Sequence, residues 1–151
     1  MREILFRGKS NWDDGKVKKG DWLYGMTIHP HCTTDTEITS YYIGLGNKTI
    51  DGKTLGQYTG LTDKNGTKIF EGDIVQLTDI RYNNEWKAVV VFGNPYCQYS
   101  WGWNLQYIGK KPQINTDILL WVEMEDVQVY CEVIGTIHDN PELLESEVQG
   151  E

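Results

Sequence analysis

The sequence predicts a mainly β protein, and three observations carry that prediction. Apolar and polar residues alternate with period two in the best-patterned segments, such as CQYSWGWNLQY at 97–107. Turn-forming Gly, Asn and Asp punctuate the chain, most densely in GLTDKNGTKIFEGDIV at 60–75. Helix-start chemistry shows only near the C-terminus, in DNPELLESE at 139–147. At 151 residues the chain is long enough to bury a core unaided. Its 6 Trp, 9 Tyr and 3 Phe supply large core side chains.

Taken in order, strands are expected at 2–7, 22–28, 38–45 and 55–61. Between them, HPHC at 29–32 reads as a surface loop stiffened by Pro30. GNKTIDGK at 46–53 is turn-rich and marks a boundary. Residues 1–53 are therefore an N-terminal β segment that packs on or extends a sheet, and 54–145 are the core.

The stretch 60–75 carries Asp, Asn, Gly and Glu at close spacing, as phosphate and calcium loops do. Neither match holds. No Lys directly follows a second Gly and no Ser or Thr follows Lys68, so no P-loop forms. An EF-hand with Gly66 at position six would place Leu61 at position one and Gly72 at twelve, and neither has a side-chain oxygen. The residues suit turns instead. Asn65-Gly66 between extended segments predicts a type I′ hairpin, with Lys64 opposite Thr67, Asp63 opposite Lys68 and Leu61 opposite Phe70. Glu71-Gly72-Asp73 turns the chain again before a strand at 74–78. Turn, short strand, tight turn and long strand open an SH3-like roll or small barrel. The expected fold class is thus mainly β, an SH3-like core with additional N-terminal β elements and a short C-terminal helical turn.

WKAVVVF at 86–92 is too apolar for alternation and predicts a strand covered on both faces. In 97–107, Cys97, Tyr99, Trp101, Trp103, Leu105 and Tyr107 share one face, and polar or small residues share the other. That aromatic face is either core or an interface, with Tyr99, Trp101 and Trp103 as candidate contact residues for a partner or second subunit. Stacking on single-stranded nucleic acid is disfavoured, because no Lys or Arg lies between Cys97 and Leu105. Residues 118–125 fit a strand or a short helix. VQVYCEVIGTI at 127–137 is a second alternating strand. Asn140 can cap a final turn, with Pro141 at its first position and Glu142 at its positive end. The acidic end, 146–151, is expected to be disordered.

Charge and cysteine content narrow the function classes. The net charge is −8, so nucleic acid is an unlikely partner for the chain as a whole. Residues 1–19 nevertheless hold six basic side chains against three acidic ones, which keeps a phosphate-tracking segment as an alternative. No signal-like or bilayer-length apolar run is present, which predicts a cytoplasmic protein with no membrane partner. Cys32, Cys97 and Cys131 are odd in number and widely spaced, as reduced thiols are. His29, His31 and Cys32 are good zinc ligand types, but no C-x-x-C completes a site, so no metal and no cofactor is expected. His138-Asp139 is the sole adjacent acid–base pair, and Asp139 suits a capping role better. No catalysis is expected; the alternative is a small enzyme with a Cys/His site.

Three strings carry a family resemblance. GQYTGLTDKNGTKIFEGDIV at 56–75 resembles the signature of the YopX family of phage and prophage proteins. MREILFRGK at 1–9, followed by GDWLYG at 20–25, is similar to the family's N-terminal region, and CEVIGTIHDNPELL at 131–144 to its end. The resemblance implies an SH3-type roll in part of the fold, an origin in phages or prophages, and association into homo-oligomers in a bacterial host cell. It implies a phage or host protein as a further partner and carries over no catalytic residue. The expected function is that of an uncharacterised accessory protein acting through protein–protein contact.

Overall fold

The computed structural model describes residues 3–96, 101–112, 116–122 and 128–145. The chain divides into two compact units, Met1–Gly60 and Leu61–Glu151. The division thus falls seven residues beyond the turn-rich stretch from which the sequence places it. That stretch is itself structured, as strand Thr49–Asp51 and a 3-10 turn over Gly52–Thr54, in which Asp51 caps the Lys53 N–H at 3.0 Å. The 146–151 tail lies outside the described residues.

The first unit holds β1 (Phe6–Lys9), β2 (Trp22–Gly25), β3 (Ile28–Thr33), β4 (Ile38–Ile43), β5 (Thr49–Asp51) and most of β6 (Gly56–Thr62). β1 pairs antiparallel with β2 and β6, and β4 pairs antiparallel with β3 and β5. Gly8 is needed where β1 crosses Ile50, because a Cβ there would overlap the Ile50 side chain. HPHC is a correction to the sequence reading: it is exposed, yet it is strand β3 and not a loop. It is an edge strand, where Pro30 forfeits no ladder bond that a central strand would need, and the register slips on either side of Cys32.

The second unit holds β7 (Lys68–Phe70), β8 (Asp73–Asp79), β9 (Asn84–Gly93), β10 (Gly102–Ile108), the four-residue helix α1 (Leu119–Val122) and β11 (Val129–Thr136). Its four-stranded antiparallel sheet has the order β10-β9-β8-β11. The protein is mainly β, with three antiparallel sheets, and among the described residues no sheet closes into a barrel. The core of this unit joins Val75 and Leu77 of β8, Ala88 and Val90 of β9, Leu105 of β10 and Trp121 of α1. Residues 118–125 therefore resolve in favour of helix over the portion described. Burial on both faces belongs to β8, where Ile74 and Val75 are both fully buried. In β9, which the sequence assigns that role, Ala88 and Val90 are buried while Val89 and Val91 are half-buried. Both strands are interior to the sheet, so apolarity and central position do not by themselves decide which strand is covered on both faces.

The hairpin at 63–67 is a different turn from the one its Asn-Gly predicts. Gly66 has φ +81°, but Asn65 is not in the positive-φ region, so the turn is not type I′. The Gly66 N–H donates to the Asp63 carbonyl at 3.0 Å and the Asp63 N–H donates to the Thr67 carbonyl at 2.9 Å. This is a type I turn followed by a left-handed Gly, a three-residue loop with a bulge. It sets Asp63 opposite Thr67, one residue away from the expected register. The cause is the Asp63 carboxylate, whose Oδ1 accepts from Asn65 and Thr67 N–H groups, each at 2.9 Å, and whose Oδ2 accepts from Val133 N–H at 2.9 Å. An Asp that bonds its own turn is held inside the structure and is no longer available to pair with Lys68.

Candidate functional site

The aromatic face foreseen on 97–107 continues onto β9. Phe92 lies directly opposite Trp103 in the β9–β10 ladder, as Val90 lies opposite Leu105 and Ala88 opposite Tyr107. All six face the same side. At the Tyr107 end this row is core: Leu105 is fully buried and Tyr107 nearly so. Burial lifts the Tyr107 phenol above its usual range. At the other end the row outruns the core. Trp103 is half-buried, Phe92 is 57% exposed and Trp101, just ahead of β10, is 74% exposed. The Phe92 ring meets Trp103 edge-on at 5.0 Å and Trp101 edge-on at 6.3 Å. Three aromatic rings thus form one tip, with edge-to-face geometry worth about 0.5–1.5 kcal/mol per pair.

Beneath the tip the backbone is fixed. Asn104 is fully buried; its amide donates to the Gly93 carbonyl, and its Oδ1 accepts the Thr116 hydroxyl at 3.0 Å. The strand ends that present Phe92 and Trp103 are tied together, so the tip is preorganised for contact. Of the sequence candidates, Trp101 and Trp103 are here; Tyr99 lies outside the described residues. Phe92 is the residue missed. It sits two places after Val90, so its face was legible, but its strand partner was not.

The other candidates lie elsewhere. Asn65 and Gly66 form the hairpin above. At the next turn Gly72 has φ +88° and Asp73, almost fully buried, accepts the Phe70 N–H at 2.7 Å, so both act on the backbone. In β3 the His29 and His31 rings lie 4.8 and 4.6 Å from the Tyr42 ring. His31 Nδ1 is also 2.9 Å from Ser40 Oγ and 3.4 Å from Cys32 Sγ. Among the described residues no group of three His, Cys, Asp or Glu side chains is placed to hold a metal ion. Cys131 is buried in the second unit, and burial, then the Asp63 carboxylate, push its thiol up to about 12. A thiol held protonated in this way is a poor nucleophile. The N-terminal basic segment is partly absorbed as well: Arg7 is buried, and the Arg7 and Lys9 cations sit 4.4 and 4.7 Å from the Trp22 ring. Among the described residues no helix is long and apolar enough to cross a membrane.

The model of the YopX protein family matches residues 3–145, nearly the whole chain. A crystal structure of protein EF1440 from Enterococcus faecalis is similar at 21% identity, covering 96% of this chain and 100% of that one, with a TM-score of 0.46. No curated protein matches.

Proposed function

The chain belongs to the YopX family, and we propose that it is a non-catalytic accessory protein of a phage or prophage that works by protein–protein contact, self-association first. The observation that supports this reading is the aromatic tip. Phe92, Trp101 and Trp103 expose rings on a fixed hairpin end, and aromatic anchors of this kind dominate the energetics of interfaces. An isologous contact would set two tips together and cover both. The reading includes a cytoplasmic setting in the bacterial host. It also includes an SH3-like relationship for the second unit, favoured by its short β7, tight Gly72 turn and antiparallel β8-β9-β10 meander.

Multi-angle light scattering on the full chain tests it. Oligomers that fall to monomers in Trp101→Ala and in Phe92→Ser support the reading. A chain that is monomeric at every concentration, or whose assembly ignores both substitutions, overturns it. Both side chains are largely exposed, so the variants should keep their fold.

A further inference from the structure

A second feature of the Leu61–Glu151 unit is independent of the aromatic tip. A cleft of about 570 Å³ opens where the β8–β9 turn, the segment after β10, and helix α1 converge. This lies within the 300–1,000 Å³ range of small-molecule sites. Its apolar floor is Trp86, Trp121, Leu120 and Val129, all packed against the core. The Trp86 and Trp121 rings stand 5.6 Å apart, tilted at 59°, so two indoles lie together in the floor.

The rim is cationic. Arg81, Lys110 and Lys111 line it with a single described carboxylate, Asp79. Among the described lining residues, three cations less one carboxylate leave two positive charges, in a chain whose net charge is −8. The rim is also held in place. Asp79 Oδ1 and Oδ2 take Arg81 Nε and Nη2, both at 3.0 Å, which fixes the guanidinium plane at the turn. That bonding keeps the Asp79 carboxyl below its usual range, so the pair stays ionic. Lys111 lies 5.1 Å from the Tyr96 ring, and its ammonium reaches the Pro112 carbonyl at 3.4 Å. Lys110 is exposed, and Asn84 adds an amide at the mouth.

An indole-lined apolar floor beneath a rim that carries, among the described residues, two more positive than negative charges suits an aromatic ligand bearing about two negative charges. We propose that this cleft binds a nucleoside monophosphate, with its base over the Trp86/Trp121 floor and its phosphate, which carries a charge of about −1.5 to −2 near neutral pH, at Lys110 and Lys111.

Isothermal titration calorimetry of the full chain with AMP and with UMP tests the assignment, alongside adenosine, inorganic phosphate and an eight-residue oligothymidylate. Saturable binding of either nucleotide, at least about tenfold tighter than adenosine or phosphate, is expected. It should weaken by about tenfold or more in Lys110→Ala/Lys111→Ala and fall as salt rises. Should that double variant melt early, Lys110→Glu, at an exposed position, gives the same test. The proposal is overturned if neither nucleotide binds at millimolar concentration, if phosphate alone binds as tightly, if the oligonucleotide binds more tightly than the mononucleotides, or if the lysine variants bind as wild type does.

Discussion

Replacing Asp63 by Ala should cost this protein about 2–4 kcal/mol. The carboxylate is buried and takes three backbone N–H groups, from Asn65, Thr67 and Val133, each at 2.9 Å. A hydrogen bond to a charged acceptor is worth about 1.5–3 kcal/mol, so simple addition would give an upper limit more than twice this large. Two of the donors sit on an exposed turn, where water takes the place of the carboxylate, and about 0.5–1 kcal/mol each is the realistic loss. The Val133 donor lies in a half-buried strand and carries the larger share, about 1–2 kcal/mol. For a domain of this length the total corresponds to a fall in Tm of about 5–15 °C. Far-UV circular dichroism during thermal and urea unfolding measures it. Asp63→Asn should recover less than half, since one oxygen cannot serve both groups of donors. A Tm within about 1 °C of wild type in Asp63→Ala would refute the reasoning. So would a Tm raised by added calcium and abolished in the variant, because the segment would then be a ligand loop after all.

Gly66→Val should lose about 1–3 kcal/mol while Gly66→Asn loses far less, since nothing crowds the site and only the φ of +81° is demanding; denaturant melts separate the two. Gly135→Ala should cost about 1–3 kcal/mol, because its Cβ would lie 2.5 Å from Asn140 Oδ1, and an Asn140→Ala background should relieve part of that cost. The Cys131 thiol, raised to about 12 when folded, contributes stability that is whole below about pH 8.5 and lost as pH climbs toward 12. Over that alkaline window stability should fall more steeply in wild type than in Cys131→Ala, by up to about 1.4 kcal/mol per pH unit, as read from urea midpoints.

The β character of the protein was written in period-two alternation: β11 lies within one segment that showed it, and β10 overlaps the other and runs one residue past it. Elements that are short or at an edge were not legible. β5 is three residues inside a run of turn formers, and β3 holds a proline, so local propensity points away from both. Each forms because β4 supplies a ladder between them, a partner that local pattern cannot reveal. The hairpin shows a subtler limit. Asn-Gly correctly marks where the chain reverses, but the type of turn is set by a carboxylate two residues upstream that also reaches Val133, 70 positions along the chain. A long-range bond thus decides a local register.

The candidate surface has the same logic. Alternation places Trp101, Trp103, Leu105 and Tyr107 on one side of the chain, and it treats them as equals. What separates them is depth. Leu105 and Tyr107 belong to the buried core cluster with Trp121 and Cys131, whereas Trp103 only packs against that cluster and Trp101 is 74% exposed. Period tells which face a side chain takes; only the length of the opposing layer tells whether that face is inside. An aromatic row longer than its cover must expose its last members, and exposing indole and phenyl rings to water is costly at roughly 25 cal/mol per Å² of apolar surface. That cost is what a second copy of the tip would remove. Substitution of Trp101 should therefore leave the monomer's melting nearly unchanged while weakening the self-association proposed above, whereas Leu105→Ala, at a fully buried position, should destabilise the monomer by about 2–5 kcal/mol. Equal effects of the two substitutions on monomer stability would mean that Trp101 is covered by its own chain and that the tip is core.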